Sequence, residues 1–243
     1  MEELKSLLLE MVENLDPPLS KAVMERLSNL VSVYPFNEFE FLISSLMGYG
    51  KITLDDYYEL RDEYLARNLY LFIFEIGAPR GFGETWAQGH LKSICPELTK
   101  PTKKLDGNYS GQYDFLVADG IRVEVKASRA VDAGSTEPLY VKALSIDSKK
   151  NFNMNFQQIK PACCDVFVWV GVWRDQIRYW VLSSDEVKGH ADFSGGQHRG
   201  NEGEGQLWLT QKNIDNFNVF ESSTRDLLVH IQEAAGRQRS SNQ

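Results

Sequence analysis

Apolar residues in the first third of the chain recur at three- and four-residue intervals, whereas those after residue 110 recur at every second position. Leu4, Leu7, Leu8, Met11, Val12 and Leu15 fall on one face of an α-helix, and Asp16-Pro17-Pro18 closes the run. A second helix is predicted from Ser20 to about Ser32, and a third from Asn37 to Met47, stopped by Gly48-Tyr49-Gly50. Thr53 with Asp56 three residues on is a capping-box pattern. It predicts a long helix through Tyr57, Leu60, Tyr64, Leu65 and Leu69 toward Phe74, ended by the turn Gly77-Ala78-Pro79-Arg80-Gly81.

Tyr113 to Val117 reads as a short strand, and Ala118-Asp119-Gly120 as a hairpin turn. Ile121 to Ser128 alternates, with Ile121, Val123, Val125 and Ala127 on one face and Arg122, Glu124, Lys126 and Ser128 on the other. A short helix is predicted over Asn155 to Ala162. Asp165 to Trp173 is strongly apolar and β-rich, as a buried central strand is. Arg174-Asp175-Gln176 turns it into a strand from Ile177 to Leu182, and residues 189–206, with six glycines, read as a polar loop. The plan is α/β: a mixed central β-sheet flanked by helices. The expected divisions are a helical region over 1–76, a core over 77–235 and a flexible tail over 236–243.

Composition narrows the classes. The chain has 243 residues, 42% hydrophobic and 25% charged, which suits a globular core and excludes fibrous, low-complexity or wholly disordered readings. Its 26 basic and 34 acidic side chains give a net charge of −8, which argues against a general nucleic-acid coat protein. The charge is uneven: residues 1–99 are net −8, residues 100–160 net +3 and residues 161–243 net −3. Cys95, Cys163 and Cys164 form no Cys-x-x-Cys pair and read as buried thiols of a reducing, cytoplasmic compartment. The first residues carry no secretory pattern, and the longest apolar run, Leu69 to Phe74, is far short of the ~20 residues of a membrane span.

Candidate chemistry converges on the hairpin. Asp114 lies on its first strand, and Glu124 and Lys126, two apart, share a face of the second. Pairing across a short hairpin brings Asp114 near Glu124, and two close carboxylates repel unless a cation lies between them. A hard divalent cation such as Mg2+ fits that need, and Lys126 adds a positive charge that could orient or deprotonate a water there. Phosphodiester hydrolysis asks for these components, because negative charge builds on the phosphate as water attacks. A solvated strand face with a Lys–Glu cross-pair is the structural alternative.

This arrangement resembles the PD-(D/E)xK nuclease superfamily and, within it, the type II restriction endonucleases. The family pattern is an acid on one strand and (D/E)-x-K on the next, matched by Asp114, Glu124 and Lys126; Gln112-Tyr113 replace the eponymous Pro. Gly81-Phe82-Gly83-Glu84-Thr85-Trp86-Ala87, followed by His90-Leu91, is similar to the family's upstream Glu-bearing helix. Phe156-Gln157-Gln158-Ile159-Lys160-Pro161 is similar to the helix after the catalytic strands. The likeness covers roughly residues 80–185. It implies a Mg2+-dependent, site-specific enzyme that cuts double-stranded DNA as a homodimer, leaving 5′-phosphate ends. Asp114, Glu124 and the Val125 carbonyl would be metal ligands, Lys126 would position the water and Glu84 would support the site. The helical first region would serve dimerisation or DNA clamping. A related nuclease of repair or phage defence, or a non-catalytic DNA-binding protein of the same fold, are the alternatives.

A second match to the bare pattern, Asp175 with Glu186-Val187-Lys188, fails on context: Ser183-Ser184-Asp185-Glu186 reads as a turn or helix cap. Candidate DNA contacts are Lys100, Lys103 and Lys104 with Asn108, Tyr109 and Gln112, then Lys149 and Lys150 with Asn151 and the Asn-rich run to Asn155, then Gln197, His198 and Arg199 in the Gly-rich loop. Each group reads equally well as a polar surface loop. The four histidines lack metal-ligand spacing, and the Gly pairs lack the Lys-Ser/Thr of a phosphate-binding loop, so neither structural zinc nor a nucleotide cofactor is expected. The tryptophans read as core residues.

Overall fold

The computed structural model describes residues 2–30, 35–196 and 203–241. The first third is helical: α1 (Glu2–Glu13), α2 (Pro17–Ser28), α3 (Pro35–Gly48) and α4 (Leu54–Ala66). Pro17 and Pro18 end α1 by opening α2, where a missing N–H costs nothing. These helices share their own core, built on Leu8, Val12, Leu42, Ile43, Leu46 and Tyr64.

Thr53 caps α4 as predicted: its side chain accepts from Asp56 N, and Asp56 accepts from the Thr53 N–H at 2.8 Å. The long helix expected from there to Phe74 stops at Ala66. Asn68 turns its Nδ2 back to the Tyr64 carbonyl at 2.7 Å, competing with the helix ladder. Tyr70 N–H bonds instead to Arg174 O at 2.7 Å, and Leu71–Glu75 winds as a 3-10 turn that buries Leu71, Ile73 and Phe74. A π-helical segment, Gly81–Ala87, then runs into α5 (Gln88–Ile94).

The remaining chain builds two sheets. The first has five strands in the order β1 (Phe115–Val117), β2 (Ile121–Arg129), β5 (Val166–Val172), β6 (Ile177–Ser183) and β9 (Glu221–Ser222). It is mixed: β2 and β5 are parallel, and every other pair is antiparallel. The second is antiparallel, in the order β3 (Val131–Asp132), β4 (Phe152–Ile159), β8 (Gly205–Thr210) and β7 (Phe193–Ser194). The helices α6 (Ser184–Gly189) and α7 (Leu227–Ser241) complete the molecule. No described helix is long and apolar enough to cross a membrane.

The layers follow from the alternation. Val123, Val125, Val166, Val168, Val170 and Val172 face a core closed by α5 and α7. Phe167, Trp169, Trp180 and Leu182 face the opposite way, onto the second sheet through Met154, Phe156, Leu207 and Leu209. Gly171 leaves room for its neighbours in this core: a Cβ there would lie 2.6 Å from the Trp180 ring on the adjacent strand and 3.2 Å from Met154 Sδ on the second sheet. Three tryptophans, Trp169, Trp173 and Trp180, are in this core as expected, but Trp208 is 43% exposed.

One further expectation is corrected. The helix predicted over Asn155 to Ala162 is β4, because Phe152, Met154 and Phe156 alternate with Asn153, Asn155 and Gln157 at the strand period. The last helix, α7, is anchored through Leu227, Ile231, Ala234 and Ala235 and runs on to Ser241. The polar loop of 189–206 contains β7 and the start of β8. The second Glu-Val-Lys match is structural, as its context predicts: Ser183 caps α6 with Glu186, whose carboxylate pairs with Arg237 at 2.7 Å.

Candidate active site

The turn between β1 and β2 sets the geometry of the site. Asp119 and Gly120 take φ of 63° and 72°, the left-handed values an Asp-Gly hairpin turn supplies. The resulting register pairs Phe115 with Val123, which puts Asp114 opposite Glu124. Asp114 donates its N–H to Val123 O at 3.0 Å, and its Oδ2 accepts from the Val125 N–H at 2.8 Å. Lys126 Nζ stands 2.8 Å from Glu124 Oε1, with the two side chains 15% and 18% exposed.

The register sets the two carboxyl groups close enough to influence each other's ionisation. Burial pushes the Glu124 pKa up to about 7, and the Asp114 charge adds to the rise against the pull of Lys126. Burial also raises Asp114, opposed by the Val125 N–H, Lys126 and Lys100. Without a bound metal ion, and despite Lys126, the pair therefore holds its proton to higher pH than isolated carboxyls do.

These groups lie in a cleft of about 1150 Å3, walled by the π-helical segment, β2, β4, Lys160 and Trp208. Five basic residues (Arg80, Lys126, Arg129, Lys142, Lys160) and five acidic ones (Glu84, Asp114, Glu124, Asp132, Glu204) line it. It is thus formally neutral, and a bound divalent cation would make it positive. Among the described residues no cluster of three or more His, Cys, Asp or Glu side chains is placed to hold a metal. A cation here would have two carboxylates, with backbone, solvent or substrate oxygens completing the set. Mg2+ commonly takes one or two carboxylates with waters and phosphates, so the donor set fits it.

Of the residues singled out in the sequence, Glu84, Gln112, Asp114, Glu124, Val125 and Lys126 line this cleft. Glu84 is on its rim, 58% exposed, and paired with Arg80 at 2.6 Å. Gln112 ties its own loop together, accepting from Ser110 N–H at 2.6 Å and donating to Asn108 O at 3.1 Å. Tyr109 packs edge-on against Tyr113 at 5.1 Å. Lys103 and Lys104 are exposed on the same loop, outside the cleft lining. Lys149 and Lys150 line a separate depression and face acids, Glu3 at 3.9 Å and Asp132 at 3.1 Å. Gln197, His198 and Arg199 lie outside the described residues.

Two features were not singled out. Gln88, at the junction of the π-helical segment and α5, is 9% exposed and donates Nε2 to Asp114 Oδ1 at 2.5 Å. Its Oε1 accepts from the Lys100 ammonium, which also lies 4.2 Å over the Phe115 ring. The second is Gln157 on β4, which extends the Asn-rich run to Asn155 already singled out and lines the same cleft. No protein-family model matches the chain, and no curated protein does.

Proposed function

We propose that this protein is a Mg2+-dependent endonuclease that hydrolyses double-stranded DNA at specific sites, with a restriction-endonuclease-like core. The observation that carries the reading is the placement of two half-buried carboxyls, Asp114 and Glu124, opposite each other across the β1–β2 hairpin and beside Lys126 in one open cleft. An ion-paired strand face exposed to water would not bury two acids against each other.

Asp114 and Glu124 would hold the cation, with the Val125 carbonyl as a further ligand. Bound there, Mg2+ supplies the Lewis acidity and neutralising charge that phosphodiester hydrolysis requires. Gln88 and the Val125 N–H fix the Asp114 carboxylate by one hydrogen bond on each oxygen. Lys126, held by Glu124, presents its ammonium to the attacking water and to the phosphate oxygen on which charge accumulates. The water oxygen bonds to phosphorus and the P–O3′ bond breaks. The attacking water gives up a proton to solvent, the 3′ oxygen takes one from solvent and leaves as a hydroxyl, and the phosphate stays on the 5′ end.

In this reading the cytoplasmic enzyme acts as a homodimer, which the helical region over 1–76 would serve by joining copies or clamping DNA. Incubation of the purified protein with plasmid DNA of known sequence tests it. Discrete fragments with 5′-phosphate ends are expected with Mg2+ and none with EDTA. Cleavage restricted to branched or damaged DNA would move the protein to a repair role, and no cleavage of any DNA would refute the reading.

A further inference from the structure

The second sheet is in effect a two-stranded ribbon, because β3 and β7, which flank β4 and β8, have two residues each. β4 turns Phe152, Met154 and Phe156 into the core and Asn153, Asn155 and Gln157 outward. β8 turns Leu207 and Leu209 inward and Trp208 outward, directly across from Asn155. All four outward side chains line the cleft that holds Asp114, Glu124 and Lys126. A ribbon face with three amides and an exposed indole is not needed for packing. Asn155 is half-buried, and its Oδ1, shielded from solvent as the side chain stands, has no hydrogen-bond partner in the fold, so the amide must turn to pair with a base. Past Gln157 the strand bulges: Gln158 takes φ 54° and pairing resumes at Ile159 with Gly205, which bends the ribbon's end beside the site.

The spacing matches a duplex. Alternate residues of a strand are about 6.7 Å apart, close to two base-pair steps of about 3.4 Å each. A two-stranded ribbon fits the major groove, roughly 12 Å wide, and an Asn or Gln amide can pair with N6 and N7 of adenine at once. On the endonuclease reading above, we infer that the β4–β8 ribbon is the base-reading element. Asn153, Asn155 and Gln157 contact base edges at every second pair, adenine foremost, and Trp208 makes the apolar contact beside Asn155. The acids and the amides share one cleft, so the base reader and the cleaved phosphate belong to the same stretch of duplex.

The test is digestion of a library of duplexes with a randomised core, in Mg2+, followed by sequencing of the cut ends. Wild type is compared with Asn155→Ala, Gln157→Ala and Asn155→Thr, the last keeping a good strand former. Each variant should lose base preference at one position of the wild-type motif. The positions lost by the Asn155 and Gln157 variants should lie two base pairs apart. Cleavage of the preferred site should slow by about 10- to 100-fold, while the Mg2+-induced rise in melting temperature stays at the wild-type value. If wild type cuts with a motif that all three variants reproduce, the base-reading inference is wrong and the endonuclease reading stands. If wild type cuts no duplex in the library, the endonuclease reading fails, and this inference with it.

Discussion

Replacing Glu124 by Gln should stabilise the metal-free protein while removing its response to metal. Gln keeps the shape of Glu, its Oε1 can still accept from Lys126, and its Nε2 can donate to Asp114, reproducing the protonated Glu124. In the wild type, ionising Glu124 against Asp114 is costly, because burial and the neighbouring charge lift its pKa from 4.5 to about 7. A raised carboxyl pKa contributes stability in full below the unfolded value and loses it as pH rises through the folded value. At about 1.4 kcal/mol per pH unit, and with the titration shared between two carboxyls, the wild type should lose on the order of 2–3 kcal/mol across that window. Glu124→Gln should lose nothing there from this position. The two proteins should therefore unfold alike near pH 4.5 in EDTA. By about pH 8 the variant should melt roughly 4–12 °C higher, at about 2–4 °C per kcal/mol for a chain of this size. Saturating Mg2+ should raise the wild-type melting point and leave the variant's in place, because a ligand stabilises only the state that binds it. Thermal or urea unfolding across pH, with and without Mg2+, reads both effects. Stability curves that run parallel in EDTA, or equal Mg2+ shifts, would refute this account of the site's electrostatics.

Other substitutions test the parts separately. Lys126→Met should slow DNA cleavage by about 100-fold or more, with duplex binding retained in a gel-shift assay. Gln88→Ala leaves Asp114 Oδ1 without its donor, so cleavage should fall by about 10-fold or more. Glu84→Ala, on the exposed rim, should cost less in the same rate assay. Gly171→Ala forces a methyl to within 2.6 Å of the Trp180 ring, and should cost about 1–3 kcal/mol by denaturant unfolding.

The acids were legible because three local signals coincide: the alternation of Ile121 to Ser128, the Asp-Gly turn, and Asp114 at the position that turn pairs with Glu124. Each is a matter of neighbours in sequence. Gln88 was not legible, because its partner Asp114 is 26 residues away and meets it only when the helix packs on the hairpin. β4 was missed for a different reason. Its apolar positions alternate properly, but the polar ones are Asn and Gln, and Asn disfavours strands as well as helices. Only pairing with β8, across about fifty residues, makes it a strand. The end of α4 likewise depends on Tyr70 meeting Arg174, a contact no local pattern encodes.

The central claim is that Asp114, Glu124 and Lys126 form one metal-dependent hydrolytic centre. Digestion of supercoiled plasmid by wild type, Asp114→Asn and Lys126→Ala, each in Mg2+ and in EDTA, tests it most directly. Cleavage by wild type in Mg2+ alone, with both variants folded and inactive, is the predicted result; equal metal-dependent cleavage by all three proteins, or none by the wild type, would contradict it.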